Sequence, residues 1–245
     1  DNMTTSNIET MRESIMKAHG TKEITTSEAR SLLDSFREEK VSIYRNPELS
    51  QKGKETKIEK LRGEYEGKVL GKSKEIYDYR NQVLNDAEKK SQSILTSKLP
   101  KVDEITKSLF DAKAKELHGK ATFATNAQDA KKLVEELVNR ADQPQLAAEI
   151  QPTVMELSKQ VLELASGTNQ EGALRLRKDL GELYERLQTQ ALPEGGREAQ
   201  ETLDKVEQLR QQNLFTPTVE SAVAEISNST SGFINRPSEY FKEDK

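Results

Sequence analysis

The sequence contains no cysteine and no tryptophan, and aromatic residues make up only 5% of it. Without cysteine there are no disulfide bonds, no thiolate metal ligands and no cysteine nucleophiles. No apolar run approaches the roughly 18 residues that a membrane-spanning helix needs, so we expect no transmembrane segment. Residues 4–16 are polar and lack the apolar core of a signal peptide, so we predict no secretion signal.

Apolar residues are also scarce, at 33% of the chain, whereas a compact domain usually has about 45–50%. So little apolar surface does not fill one thick core, but it suffices for narrow stripes along helices that pack side by side. The apolar residues keep helical spacing over most of the chain, which argues against disorder. We therefore predict an all-α fold built from an extended helical hairpin or rod and a C-terminal antiparallel helix bundle.

Charge is divided unevenly between the two halves. Residues 1–125 carry 24 basic and 21 acidic side chains, a balance of +3, and residues 126–245 carry 14 and 21, a balance of −7. Because the basic side chains alternate with acidic ones, they form no continuous stripe that would bind phosphates. We therefore expect two regions of different character and no nucleic-acid partner.

Two helices are predicted before residue 50. The first runs from about Ser6 to His19, where His19-Gly20 resembles a helix C-terminus. The second begins after Thr25, which forms a capping-box pattern with Glu28, and ends at Asn46-Pro47.

A long helix over about residues 50–98 is the clearest prediction, with Ser50 as its N-cap and Leu99-Pro100 as its stop. Its apolar residues follow an eleven-residue repeat, typical of a nearly straight helix that lies along a partner helix. The predicted seam consists of Ile58, Leu61, Tyr65, Val69, Ile76, Val83, Ala87 and Ile94, with Lys72, Arg80 and Ser91 at the positions between them.

Three glycines, Gly63, Gly67 and Gly71, lie at four-residue spacing on the side of this helix opposite the seam. Such a pattern is typical of a face that another helix approaches closely, which makes the three residues candidates for partner binding. The alternative is a bendable turn in a solvated rod, and the surrounding Glu and Lys residues favour it.

The remaining chain is predicted as shorter helices. One, with an apolar face formed by Val102, Ile105, Leu109 and Ala112, continues to His118-Gly119. Residues 120–126 then form a linker that ends in an Asn126 N-cap. An antiparallel bundle follows, with a second capping box at Thr168 and Glu171 and a tight turn at Pro193–Gly196. The predicted regions are thus a Lys-rich hairpin or rod over 1–120, a bundle over 126–216 and a flexible C-terminal segment over 217–245.

Within that last segment, residues Ser227–Gly232 read as a flexible spacer. The apolar residues beyond it have no nearby apolar neighbours in the sequence, so we predict that they anchor a partner. These candidate partner-binding residues are Phe233, Ile234, Tyr240 and Phe241.

No residue pattern indicates catalysis or a bound cofactor. The two histidines, His19 and His118, both precede glycine, so we interpret them as helix-terminating residues rather than catalytic groups or metal ligands. Neither lies in a metal-binding spacing, and no glycine-rich turn joins a strand to a helix. We predict that the protein is not an enzyme and binds neither metal nor cofactor.

One stretch combines the turn Tyr44-Arg45-Asn46-Pro47-Glu48-Leu49-Ser50-Gln51-Lys52-Gly53-Lys54 with a Lys/Glu-rich helix that continues through Tyr65. This combination resembles helical head-assembly proteins of phages and prophages of Gram-positive bacteria. It covers about 60 of the 245 residues and implies a structural or assembly role, in the bacterial cytoplasm or the virion, without enzymatic activity.

The sequence leaves two classes of function open. The favoured one is a structural or assembly protein that binds protein partners through helices and forms a homo-oligomer along the seam of the long helix. The alternative is a peripheral module that binds a membrane surface or a cell-surface partner. Interleaved Lys and Glu make lipid binding the weaker of the two.

Overall fold

The computed structural model describes residues 2–167 and 170–242, and the predicted capping residue Thr168 lies outside them. All regular elements in the described part are helices, which confirms the all-α class. They are α1 (Asn2–Arg45), α2 (Gln51–Leu95), α3 (Glu104–Thr122), α4 (Ala127–Arg140), α5 (Pro144–Leu164) with a 3₁₀ turn at Ala165–Gly167, α6 (Gln170–Gln190), α7 (Gly196–Gln211), α8 (Pro217–Val223), α9 (Asn228–Phe233) and α10 (Pro237–Tyr240).

Helix α1 is continuous, so the predicted end at His19-Gly20 and the predicted start at Thr25 are both wrong. The reason is a buried stripe that runs through the predicted break and outweighs the cost of about 1 kcal/mol for an interior glycine. Thr25 lies in this stripe and donates its hydroxyl hydrogen to the carbonyl oxygen of Lys22 at 2.8 Å instead of capping a helix. The stripe includes Met11, Ser14, Ala18, Thr21, Thr25, Ala29, Leu33 and Phe36.

Helix α2 confirms the predicted long helix, and Ser50 caps it by accepting a hydrogen bond from the Gly53 amide at 3.2 Å. All eight predicted apolar seam residues are buried. Two of the three polar seam positions, Arg80 and Ser91, are buried as well. The eleven-residue repeat therefore identifies the packed face of the helix correctly.

Contacts between residues divide the chain into two compact units, at places that differ from the predicted boundaries. The hairpin unit consists of Asn2–Ser91 and the described residues from Glu201 onward, and the bundle unit consists of Gln92–Gln200. In the hairpin unit α1 and α2 pack antiparallel. The ring centroids of Phe36 and Tyr65 are 5.5 Å apart, and the Ser91 hydroxyl donates a hydrogen bond to the Met11 sulfur at 3.0 Å. Helix α1 thus covers the seam of α2 that the sequence predicted as a surface for self-association.

The core of the bundle unit is formed by α3 to α6, whereas the sequence predicted a bundle over 126–216 that excluded α3. Helix α3 enters this core because Phe110, Ala114, Leu117 and Ala121 lie on one of its faces. It also continues past His118-Gly119 to Thr122, which shortens the predicted linker. The N-cap at Asn126 is confirmed by its bond to the Asp129 amide at 2.9 Å.

The described part of the predicted flexible segment 217–245 is ordered as α8, α9 and α10. The supposed spacer Ser227–Gly232 is mostly α9, with Ser227 as an N-cap that accepts a hydrogen bond from the Thr230 amide at 2.9 Å. Serine and asparagine, which suggest a loop in isolation, here begin a short helix that packs in the same core as α1 and α2.

Candidate protein-interaction surfaces

The three glycines of α2 lie on a face that no other described element approaches closely. A methyl group added at Gly63, Gly67 or Gly71 would meet no atom within 4 Å beyond the neighbouring residues and backbone of its own helix. Within the described residues, therefore, no helix makes a close approach there. The glycines remain candidate partner-binding residues, and no contact among residues 2–167 and 170–242 requires them to be glycine.

The C-terminal anchor residues are used inside the hairpin unit, which corrects their predicted role. Ile234 is fully buried, and Phe233 and Tyr240 are partly buried against the same core. Phe241 is 37% exposed and packs edge-to-face on Tyr240, with ring centroids 5.1 Å apart. These side chains have nearby apolar neighbours on α1 and α2, which are far away in sequence but close in the fold.

Three polar side chains of α2 donate hydrogen bonds to main-chain carbonyl groups at the C-terminal ends of α7, α8 and α9. Arg62 donates to the carbonyl oxygens of Glu225, at 2.8 Å, and of Ile226, just beyond the end of α8. Ser73 donates to the carbonyl oxygen of Ile234 at the end of α9. A positive or hydrogen-bonding side chain at a helix C-terminus satisfies carbonyl groups that otherwise lack partners. Arg80 does the same beyond α7, at Gln212.

A small polar network fixes the segment between α7 and α8. The Tyr77 hydroxyl accepts a hydrogen bond from the Leu214 amide at 3.1 Å and donates to Asn235 Oδ1 at 2.9 Å. The same Oδ1 accepts from the Phe215 amide at 3.0 Å, and the Asn235 amide group donates back to the Phe215 carbonyl. The network therefore connects α2 to the segment before α8 and to Asn235 after α9.

A groove between α1 and α8 in the hairpin unit has a volume of about 270 Å³. Its apolar floor includes Ala29, Leu33 and Val223, and its rim carries Arg30 and Asp34. Sites for small molecules usually measure about 300–1,000 Å³, so this groove is at the lower limit of that range.

Helix α3 presents an apolar face that the sequence identified but assigned to packing. Ile105 is 75% exposed and Leu109 is 68% exposed, while Phe110 and Leu117 on another face enter the core of the bundle unit. Phe123, directly after the helix, is 85% exposed. We call Ile105, Leu109, Ala112 and Phe123 the α3 stripe. The sequence pattern contained both faces, and the choice between them needed the positions of α4 and α5.

The two histidines belong to different units, His19 to the hairpin unit and His118 to the bundle unit. His19 is exposed in the interior of α1, and His118 lines an open depression of about 290 Å³ with Asp111, Lys115 and Glu156. Among residues 2–167 and 170–242, no three His, Asp or Glu side chains are grouped so that they could hold a metal ion. The predicted role of His19 and His118 in ending helices is wrong, since α1 and α3 both continue beyond these residues.

Comparison with known proteins adds no relative. A scan against protein-family models finds no match, and searches of curated proteins and of solved structures find none either. None of the described helices is both long enough and apolar enough to cross a membrane.

Proposed function

We propose that this chain is a non-enzymatic structural or assembly protein that acts through contacts between its helices and other proteins. The observation that carries the proposal is the location of its apolar side chains. Those on the inner faces form closed cores, and the large ones left outside, such as Ile105 and Leu109, lie on a convex helix face rather than in a cavity. A convex apolar face suits a protein surface better than a small molecule.

The resemblance around Asn46–Lys54 and the helix that follows supports a more specific role in head assembly of a phage or prophage of Gram-positive bacteria. In that role the protein acts in the bacterial cytoplasm or becomes part of the virion. The paired helices α1 and α2, of 44 and 45 residues, suit such a role because they present long surfaces of alternating charge.

Particle composition tests this proposal. Precursor heads and mature virions are purified from an induced culture of the source bacterium, and their proteins are quantified by mass spectrometry against the major capsid protein. We expect this chain at a constant ratio to the capsid protein across the particle fractions of a density gradient. An abundant metabolic enzyme serves as the contamination control. Absence of the chain from both kinds of particle contradicts the head-assembly role.

A peripheral membrane module is the second candidate, and one observation favours it. Lys113, Lys115 and Lys120 lie on the same helix as the exposed Leu109, a combination that can bind anionic lipid. Co-sedimentation with vesicles of phosphatidylglycerol and phosphatidylcholine, compared with phosphatidylcholine alone, separates the two candidates. We expect no binding to either vesicle.

A further inference from the structure

The most exposed large apolar side chains of the bundle unit belong to the α3 stripe. Ile105, Leu109 and Phe123 have exposed fractions of 75%, 68% and 85%. A single exposed leucine on a protein surface is ordinary, but several on one face of one helix mark a contact site. Helix α3 therefore carries two apolar faces, of which the bundle unit covers only one.

The stripe has the geometry of a helix–helix seam. Ile105, Leu109 and Ala112 follow steps of four and three residues, and Phe123 comes three turns after Ala112. At 1.5 Å per residue the stripe is about 27 Å long. The charge inside it is already balanced, because Glu116 forms ion pairs with Lys113 at 2.9 Å and with Lys120 at 2.5 Å. These two lysines lower the pKa of Glu116 to about 2.

Charges along α3 are arranged by sign. Asp103, Glu104 and Asp111 lie in its N-terminal half, and Lys113, Lys115 and Lys120 lie in its C-terminal half. Lys107 and Glu116 break this order. Lys107 is paired with Glu149 on α5, and Glu116 is paired with Lys113 and Lys120, so the C-terminal half contains three lysines and one carboxylate. One end of the helix is therefore acidic and the other basic.

We propose that the α3 stripe is a self-association surface, on which α3 of one copy packs antiparallel against α3 of a second copy. The inference rests on the proposed function and names one of its helical contacts. Antiparallel pairing places the acidic end of each helix beside the basic end of the other, whereas parallel pairing sets like charges together. It also brings Ile105 of each copy to Phe123 at the far end of the other. The contact is symmetric and closes as a dimer.

The expected affinity is low. A single helix face offers less area than the roughly 1,200 Å² of a stable interface, so the dimer is expected to dissociate in the micromolar range or above. A lipid surface is the less suitable occupant, since Asp103, Glu104 and Asp111 at one end of the helix repel anionic headgroups.

Sedimentation velocity over a concentration series tests the proposal with the full chain. We expect wild-type protein to show a monomer–dimer equilibrium and Leu109→Lys to weaken it at least about tenfold, because the new ammonium group would be buried beside Lys115 and Lys120 of the second copy. Leu174→Lys on α6 is the matched control, since Leu174 is also exposed, at 65%, and should leave the equilibrium unchanged. Circular dichroism establishes that each variant is folded. A wild-type monomer at all concentrations, or equal dimerisation of the Leu109 variant, overturns the proposal.

Orientation is tested with single cysteines, which are unique labelling sites because the chain has none. Spin labels at Lys115→Cys and Thr122→Cys, two exposed positions beside the stripe, report the distance between equivalent positions of the two copies. Antiparallel pairing centred between Ile105 and Phe123 predicts about 10–15 Å between backbones at position 115 and about 25 Å at position 122. Equally short distances at both positions indicate parallel pairing and contradict the proposal. Either failure leaves the particle-composition result, and hence the proposed function, untouched.

Discussion

The guanidinium group of Arg80 donates a hydrogen bond from Nη1 to the carbonyl oxygen of Gln212 at 2.7 Å, immediately beyond the end of α7. Arg80 is only 3% exposed, stacks over the ring of Tyr77 at 4.9 Å, and has no described partner for its Nε atom. Burial lowers the pKa of Arg80 from its usual value. A buried arginine held by a main-chain carbonyl group and an aromatic ring, without a carboxylate, is a structural clamp between α2 and the C-terminal segment.

Replacing Arg80 by alanine is expected to lower the free energy of unfolding of the hairpin unit by about 2–4 kcal/mol, because the hydrogen bond and the packing on Tyr77 are both lost. Tyrosine fluorescence during urea unfolding measures this, since five of the six tyrosines lie in that unit. Arg210→Ala is the control, because the Arg210–Glu88 ion pair is about one-third exposed and contributes at most about 1 kcal/mol. Equal losses of unfolding free energy for the two variants would contradict the structural role of Arg80.

We predict that the apolar residues after α8 stabilise the fold of the hairpin unit and do not serve as free anchors for a partner. Ile234→Ala should cost about 2–4 kcal/mol, as expected for truncation of a fully buried isoleucine. Phe241→Ala, at a side chain that is 37% exposed, should cost no more than about 1 kcal/mol. The same urea titration checks both values, and a negligible effect of Ile234→Ala would restore the flexible-anchor interpretation.

The glycine face of α2 predicts a gain in stability. Gly67→Ala should raise the free energy of unfolding by about 0.5–1 kcal/mol, since alanine suits a helix interior better and the added methyl group has free space. Gly196→Ala is the contrast, because its methyl carbon would lie 2.8 Å from Leu192 Cβ, and it should destabilise. If Gly67→Ala abolishes an association that wild-type protein shows, the glycines form a close-approach interface after all.

Tyr65 predicts how stability changes at alkaline pH. Its burial, followed by the hydrogen bond it donates to Glu39 at 2.6 Å, raises the pKa of Tyr65 from 10.0 to about 12. Between pH 10 and pH 12 the unfolded chain loses this proton and the folded chain keeps it. The free energy of unfolding therefore falls as pH rises, by up to about 1.4 kcal/mol per pH unit from this group. Tyr65→Phe should show a shallower fall, and an unchanged slope contradicts the assignment.

The sequence predicted α2 well because everything that defines it is local. Prolines at 47 and 100 bound it, Ser50 caps it, and its repeat is long enough to identify the buried face. The continuity of α1 was missed because His19-Gly20 and Thr25 are good local signals for helix ends. They were overridden by burial against α2, which is a tertiary effect.

The roles of Arg62 and Ile234 depend on neighbours more than 160 residues away, which no spacing along the chain reveals. The α3 stripe is a different case. Ile105, Leu109 and Ala112 were predicted as a helical face, whereas Phe123 was assigned to the linker. The packing of Phe110 and Leu117 in the core of the bundle unit decided which face is left outside. Short apolar stripes specify that a helix packs, and the arrangement of the other helices specifies which side does so.

Chemical crosslinking of purified precursor heads, read by mass spectrometry, tests most directly whether this protein works through helical protein contacts. The reagent joins lysine pairs, and the Lys-rich chain offers many of them, including Lys113, Lys115 and Lys120 beside the α3 stripe. We predict reproducible crosslinks from this chain to another structural protein of the particle, together with crosslinks within the chain such as Lys40 to Lys60 of the hairpin unit. Recovery of the crosslinks within the chain but of none to any other protein would contradict the account.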